Sequence, residues 1–321
     1  MHPSLTDPST FRLPVDDGVA LHVYRWTPGG PPKAVVQIAH GLAEHAGRYG
    51  PTAAALTAAG FAVYANDHRG HGLTASTPEE LGYFAAQNGW RRLVDDLHRL
   101  NRRIADEHPG RPIFLLGHSM GSFLAQQYLF SHGDSIVGGV LSGTNGGAGM
   151  LVRIGRSVAQ LERLRLGARG RSALLHKQFF GSFNRRFRPA RTELDWLTRD
   201  PAEVDKYIAD PLCGFALTVQ GWIDVLDGLL EIERPAHIQC VPASLPIYLF
   251  SGDHDPVGGE TRGVRWLAAA YRRAGLTDVT ERFYPGGRHE MLNEVNRAEV
   301  ERDLVAWLDG VLARTAVRGG A

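Results

Sequence analysis

The sequence contains few cysteines and no long apolar run. Of its 321 residues only Cys213 and Cys240 are cysteines, and neither has the spacing of a disulfide framework, a C-x-x-C motif or a metal site. We therefore predict two reduced thiols in a cytoplasmic protein. No stretch approaches the roughly 18 apolar residues of a membrane span, and the first 18 residues lack the basic and apolar segments of a signal peptide.

The chain also lacks a strong net charge. Its 35 basic and 34 acidic residues give a formal charge of +1, which argues against a nucleic-acid partner. A hydrophobic fraction of 43% with 21% charged residues is typical of a globular protein. At this length we expect one core that carries an insertion.

Short apolar runs alternate with longer helical patterns along most of the chain. This order predicts an α/β fold, with a mainly parallel sheet flanked by helices. The predicted strands are 34–39, 61–65, 113–116, 136–141, 247–250 and 279–284, and the predicted helices are 52–59, 90–106, 120–130, 261–274 and 297–312. Segments 11–13 and 20–26, separated by an Asp-Asp-Gly turn, predict a hairpin at an antiparallel edge.

The alternation stops between residues 145 and 239. Apolar residues there recur at helical spacing, as in Leu151, Ile154, Val158 and Leu161. We predict that residues 145–239 form a helical lid, inserted into a core made of residues 1–144 and 240–321. The lid is expected above the carboxyl edge of the sheet, where open α/β sheets bind ligands.

A Gly-x-Ser-x-Gly motif centred on Ser119 lies between a predicted strand and a predicted helix. This context is typical of a nucleophile elbow, whose sharp turn requires small neighbours and lifts the serine hydroxyl above the sheet. We predict that Ser119 is a nucleophile. The alternative is a glycine-rich turn with an incidental serine.

A serine hydroxyl requires a base, and the base requires an orienting group. In folds with such an elbow, the acid and then the histidine follow the serine along the chain. His289 follows the last predicted strand and is the one histidine, of fourteen, that falls where the topology requires the base. The loop after strand 247–250 offers Asp253 and Asp255 as the acid.

Two backbone N–H groups are expected to stabilise the oxyanion of a tetrahedral intermediate. The first belongs to Met120, directly after the nucleophile. The second belongs to Leu42, in the loop after strand 34–39, where Gly41 permits a close backbone approach. An ordinary glycine turn is the alternative for this loop.

Three motifs, at residues 40–49, 67–72 and 117–121, carry a family resemblance. With the acid and histidine behind them, the chain resembles the monoacylglycerol lipase and bacterial lysophospholipase branch of the α/β-hydrolases, which is grouped with serine aminopeptidase-like hydrolases. The Gly-x-x-Asp spacing of similar hydrolases selects Asp255 as the acid and leaves Asp253 to cap the turn. The loop that carries the Leu42 N–H is called the oxyanion loop below. In the first motif, Glu44, His45 and Arg48 are expected to fix this loop.

The resemblance implies a serine carboxylic-ester hydrolase that acts on monoacylglycerols or similar small lipid esters, with no cofactor and no metal. Lysophospholipase or general carboxylesterase activity stays open, because fold and triad do not determine the substrate. An aminopeptidase would require an acidic anchor for a free amine. A catalytically silent binding protein would have no need of all three residues of a triad.

The predicted lid is strongly basic. Residues 151–200 carry a charge of +8, whereas the remaining residues carry −7. Four arginines interleave with the apolar residues of the first helical pattern, which suits a helix lying on an anionic lipid surface. A solvated basic face is the alternative for this helix. A second group of arginines could instead receive an anionic head group or another subunit: Arg185, Arg186, Arg188 and Arg191. Aromatic residues of this region supply either pocket or core surface: Phe179, Phe180, Phe183, Phe187, Trp196, Phe215 and Trp222.

Overall fold

The computed structural model describes residues 7–319, with side chains to residue 315. Residues 1–6 and 320–321 of the predicted core therefore lie outside the described residues. The strands are β1 Ser9–Pro14, β2 Ala20–Trp26, β3 Ala34–Ala39, β4 Phe61–Asn66, β5 Ile113–His118, β6 Gly138–Ser142, β7 Ile247–Gly252 and β8 Val279–Tyr284. They form one sheet in the order β1-β2-β4-β3-β5-β6-β7-β8.

The sheet is mainly parallel, as the sequence predicts. Strands β1 and β2 form the antiparallel hairpin, and β2 also pairs antiparallel with β4. All other pairings are parallel. The carboxyl ends of β3, β5, β7 and β8 therefore meet at one edge of the sheet, which brings together the loops that carry the predicted site residues.

Helices cover both faces of the sheet, and the five strands from β3 to β7 are fully buried. Along β5, Leu115 packs with one apolar cluster and Phe114 with the other, because successive side chains of a strand point to opposite faces. The core helices are α1 Gly50–Ala58, α2 Gly89–Glu107, α3 Met120–His132, α9 Arg262–Arg273 and α10 Arg297–Gly319. Helices α1 and α10 cover one face, and α2, α3 and α9 cover the other.

Residues 145–239, called the insertion below, contain five helices. These are α4 Gly149–Leu166, α5 Ala173–Phe180, α6 Pro201–Ala209, α7 Val219–Ile232 and α8 Pro235–Ile238. An isolated bridge joins Arg171 to Thr218. The chain leaves the sheet after β6 and returns at β7, so the insertion begins at the edge where the site loops meet. Its division from the core as a separate unit stays a prediction.

Most of the predicted elements differ from the structure by one or two residues at their ends. Strand β6 begins at Gly138 rather than at residue 136, two residues after the end of a turn of 3₁₀ helix, Gly133–Ser135. Helix α10 continues to Gly319, beyond the predicted end at residue 312. None of the described helices combines the length and the apolar character of a membrane span.

Candidate active site

Ser119 lies on a sharp turn between β5 and α3. Its backbone has φ 51° and ψ −120°, a strained conformation for a residue with a side chain. The turn leaves no room for side chains at Gly117 and Gly121. A Cβ on Gly117 would lie 2.3 Å from the Gly121 oxygen, and one on Gly121 would lie 2.0 Å from the Ala39 oxygen. The motif thus has the geometry of a nucleophile elbow.

The structure brings Ser119, His289 and Asp255 into one hydrogen-bonded chain. His289 Nε2 lies 2.9 Å from Ser119 Oγ, and His289 Nδ1 lies 3.0 Å from both carboxylate oxygens of Asp255. His289 and Asp255 are both buried, and Asp255 has no exposed surface. An ionised carboxylate can only accept hydrogen bonds, so the imidazole proton lies on Nδ1 and Nε2 is free to take the serine proton. This is the arrangement of nucleophile, base and orienting acid.

The two candidate carboxylates of the loop after β7 have different hydrogen-bond partners. Asp255 accepts hydrogen bonds from the Val257 N–H at 2.9 Å and from Ser251 Oγ at 3.2 Å, in addition to its contact with the histidine. Asp253 instead accepts the Gly286 N–H at 2.7 Å and is partly exposed. Asp253 therefore joins two loops, whereas Asp255 is the carboxylate that faces the imidazole.

Electrostatics favour the protonated state of the imidazole during catalysis. Burial alone lowers the pKa of His289, but the carboxylates of Asp255, Glu290 and Glu44 together raise it above its usual value. Burial raises the pKa of Asp255, yet the positive charge and hydrogen bond of His289 hold it below its usual range. Since a neutral imidazole is required to accept the serine proton, activity is expected to fall as the solution becomes acidic enough to protonate His289.

The two predicted oxyanion donors lie on either side of the serine. The Met120 N–H is the first of helix α3, a position that has no intrahelical acceptor. The Leu42 N–H has no acceptor among the described residues. Gly41 is so close to the nucleophile that a Cβ there would lie 3.2 Å from Ser119 Cβ. The peptide between Gly41 and Leu42 thus borders the position of a reacting carbonyl.

His40 fixes the orientation of that peptide. Its Nδ1 donates to the Gly41 oxygen at 2.7 Å, while its Nε2 accepts the His68 N–H at 2.9 Å. The backbone donor of His68 thereby determines which nitrogen of His40 carries the proton. Burial, followed by the neighbouring His68 and His71, lowers the pKa of His40 well below its usual value. The ring therefore stays neutral at neutral pH and keeps its hydrogen bond to the Gly41 oxygen.

A buried ion-pair network joins the oxyanion loop to the histidine loop. Arg48 contacts Glu44 at 2.5 Å and Glu290 at 2.7 Å, and Glu44 in turn accepts the Gly41 N–H at 2.5 Å. Burial raises the pKa of Glu290, but Arg48 lowers it to about 2. The sequence motif identified Glu44 and Arg48, whereas Glu290 was missed. Its position directly after His289 was the available signal.

A cavity of about 430 Å³ opens onto Ser119 and His289. Part of its lining is apolar and comes from the oxyanion loop and the insertion: Leu42, Phe180, Leu194, Trp196, Leu197 and Phe215. Its carboxylates are Glu44, Glu193 and Glu290, and the exposed Lys177 also contributes. Of the aromatic residues that the sequence left open between pocket and core, Phe180, Trp196 and Phe215 line the cavity.

Among the described residues, one group has the chemistry of metal ligands. Atoms of His45, Asp210 and Cys213 lie within 4.8 Å of one another. His45 Nε2 already pairs with Asp210 at 2.9 Å, and burial raises the pKa of the Cys213 thiol, which disfavours the thiolate that a metal requires. The group is therefore best described as a contact between the oxyanion loop and the insertion.

Comparison with known proteins defines the class of this chain. Residues 30–296 match the family described as serine aminopeptidase, S33, and the chain belongs to that family. The predicted α/β-hydrolase fold is confirmed by solved structures of that fold with high structural similarity.

The particular relatives are lipases and esterases. The chain is 31% identical to the monoacylglycerol lipase of Mycolicibacterium smegmatis, over 91% of this chain and 93% of that protein. It is 29% identical to human monoglyceride lipase, over 95% of this chain and 91% of the human protein. A carboxyl esterase from Bacillus coagulans, solved in complex with glycerol, superposes with a TM-score of 0.88 at 28% identity and covers 96% and 99% of the two chains. The chain is thus a hydrolase of the monoglyceride lipase group of lipases and esterases.

Proposed function

We propose that this protein hydrolyses monoacylglycerols and similar small lipid esters through an acyl-enzyme on Ser119. The observation that carries the proposal is the hydrogen-bonded chain from Asp255 through His289 to Ser119, which opens into a cavity with apolar walls. The similarity to monoacylglycerol lipases from a bacterium and from human supports an acylglycerol substrate.

In the proposed mechanism, Ser119 Oγ attacks the ester carbonyl while His289 Nε2 takes its proton. The N–H groups of Leu42 and Met120 stabilise the oxyanion. His289 then protonates the leaving alcohol, and the same base activates a water that releases the acid from Ser119. Asp255 stays ionised throughout and stabilises the imidazolium.

The carboxylates of the cavity favour an ester substrate over a peptide with a free amine. Glu44 and Glu290 are both ion-paired with Arg48, so neither is available as an uncommitted anchor for an ammonium group. Glu193, the third carboxylate of the described lining, is exposed, and the same lining contains the cation of Lys177. An aminopeptidase would hydrolyse aminoacyl anilides, and we expect no turnover of these.

The size of the cavity predicts an acyl-chain preference. The cavity has a volume of about 430 Å³, and its apolar lining offers contacts to a chain of methylenes only within that space. Each methylene buried in an apolar wall contributes about 0.8 kcal/mol, so kcat/KM is expected to rise about fourfold per added carbon and to level off once the chain outgrows the cavity.

The test is a series of monoacylglycerols from two to eighteen carbons, together with a lysophospholipid and a short soluble ester. We expect monoacylglycerol turnover that rises with chain length to a maximum or plateau within the series, and none above background for the Ser119→Ala variant. Turnover of short soluble esters alone would identify a general esterase, and a preference for the lysophospholipid would identify a lysophospholipase. Inertness toward both the esters and a fluorophosphonate would favour a binding protein.

We also propose that the insertion contacts a lipid surface through helix α4. Five apolar residues of this helix are each more than half exposed: Met150, Leu151, Ile154, Leu161 and Leu164. The arginines contribute less than the charge count predicts, because Arg156 pairs with Asp227, which lies outside residues 151–200. Arg165 is also paired, with Glu162 of the same helix. Apolar burial is therefore the larger part of the proposed membrane affinity.

Replacing Leu151 and Leu164 by serine is expected to weaken binding to phosphatidylglycerol-containing vesicles by about tenfold or more, because two apolar side chains lose their burial in the interface. Vesicle sedimentation measures the affinity. Val295→Ser is the matched control, since Val295 is an exposed apolar residue outside the insertion. Equal binding by the double variant and the wild type would contradict this contact.

A further inference from the structure

The oxyanion loop contains a residue in a conformation that its side chain disfavours. Ala43 directly follows the donor Leu42 and has φ +54°, in the left-handed region that residues with a Cβ rarely adopt. Its side chain is buried. The loop therefore requires contacts that hold Ala43 in place, because relaxation of this residue would rotate the backbone that carries the Leu42 N–H.

Those contacts come from the insertion. The hydroxyl of Tyr207, near the end of α6, donates to the Ala43 oxygen at 2.8 Å. The Gly214 N–H donates to the same oxygen at 2.9 Å and lies 3.2 Å from the Tyr207 hydroxyl. One carbonyl of the strained residue is thus held by two donors from a segment distant in the sequence.

The same segment also contacts the residues that follow Ala43. Asp210 contacts His45 at 2.9 Å, and the guanidinium of Arg48 lies 4.8 Å from the centre of the Tyr207 ring. Tyr207 is almost fully buried. Residues 207–214 therefore hold the oxyanion loop at more than one point, and Tyr207 takes part in two of these contacts.

We propose that Tyr207 is a positioning residue, which holds Ala43 in its left-handed conformation and so aims the Leu42 N–H at the oxyanion. This inference rests on the proposed function and deepens it, because it makes the oxyanion hole depend on how the insertion sits on the core. A donor contributes to catalysis only when it is already oriented toward the developing charge. The hydroxyl of Tyr207 contributes to that orientation through the Ala43 oxygen, in addition to the contact of His40 with the Gly41 oxygen, and the residue also lines the cavity.

Tyr207→Phe removes the hydroxyl and keeps the ring. On a short soluble ester, we expect kcat to fall about tenfold with little change in KM, because the lost stabilisation is realised only in the transition state. The fall is smaller than the 10²- to 10³-fold effect of deleting an oxyanion donor, since the Gly214 N–H still holds Ala43. The acid limb of the pH profile should not move, because the carboxylates around His289 are unchanged.

A second substitution separates positioning from simple packing. Glycine adopts the left-handed conformation at no steric cost, so Tyr207→Phe is expected to lower kcat less than threefold when Ala43→Gly is already present. Tyr128→Phe is the matched control: Tyr128 is also buried, but its hydroxyl bonds Ser135 in the core. It should lower the melting temperature as Tyr207→Phe does and leave kcat unchanged.

The rate of fluorophosphonate labelling provides a readout that requires no ester to be a substrate. Slower labelling of Tyr207→Phe, restored by Ala43→Gly, supports the positioning role even if no ester is hydrolysed, in which case the lipid-ester proposal alone fails. Unchanged labelling and kcat in a folded Tyr207→Phe variant overturn the positioning role alone. An equal loss with and without Ala43→Gly also overturns it, and a wild-type protein that is not labelled overturns both proposals.

Discussion

Replacing Ser119 by alanine is expected to lower kcat by about 10⁶-fold, the largest effect of any substitution considered. The variant loses the only oxygen within hydrogen-bond distance of His289 Nε2 among the described residues, so no acyl-enzyme forms. The proposed oxyanion donors and the cavity remain, so we expect a residual acceleration of about 10³- to 10⁴-fold over water. Substrate affinity is expected to persist, because the apolar lining is untouched.

Ester hydrolysis and fluorophosphonate labelling, followed by mass spectrometry of the labelled peptide, measure this loss. Ser135→Ala is the control. Ser135 lies in the short turn after α3, at the opposite end of that helix from the elbow, and its hydroxyl donates to the His132 oxygen. This variant should label and turn over as the wild type does. Substantial hydrolysis by Ser119→Ala, or a label on another serine, would contradict the assigned nucleophile.

The sheet could be predicted closely because its signals are local. Parallel strands buried on both faces are short continuous apolar runs, as in Ala34–Ala39 and Ile113–His118, and a turn follows each. The helices of the core could be placed for the same reason. The ends of the helices could be predicted less closely. Helix α10, for example, continues past residue 312, and no local signal marks its end.

A residue of the candidate site could be predicted where a single loop after a strand supplies a single catalytic group. Ser119, His289 and the donor loop each follow a strand whose carboxyl end lies at the same edge, so their proximity follows from the topology. Contacts between distant segments were not predictable. Tyr207 reaches Ala43 only because the insertion folds back onto the oxyanion loop. The segment 210–212 that follows Tyr207 also resembles the family, but no pattern in the sequence indicates this contact.

Charge counting illustrates a related limit. The excess of arginine in residues 151–200 is evident from the sequence, but the partners are not, because Asp227 and Glu260 lie outside that segment. In the structure Arg156 pairs with Asp227 and Arg186 with Glu260. A net charge of one segment therefore overstates the positive surface when the neutralising acids come from other parts of the chain.

Asp255→Asn is expected to lower kcat by about 10⁴-fold with the fold intact. Asparagine can still accept the Val257 N–H through its oxygen, as Asp255 Oδ1 does, so its NH₂ group would face His289 Nδ1. A donor at the Oδ2 position, 3.0 Å from Nδ1, opposes a proton on Nδ1 and favours the tautomer that carries it on Nε2. The nitrogen that faces Ser119 would then be unable to accept the serine proton.

Asp253→Asn decides between the two carboxylates of this loop, because it changes the same charge two residues away. Its oxygen can still accept the Gly286 N–H, as Asp253 Oδ1 does, so activity should stay close to that of the wild type. Steady-state hydrolysis of a short ester, together with melting curves, measures both variants. A loss of activity in Asp253→Asn combined with near-normal activity in Asp255→Asn would reverse the assignment. The expected result would identify the buried carboxylate that faces the imidazole as the group that selects its working tautomer.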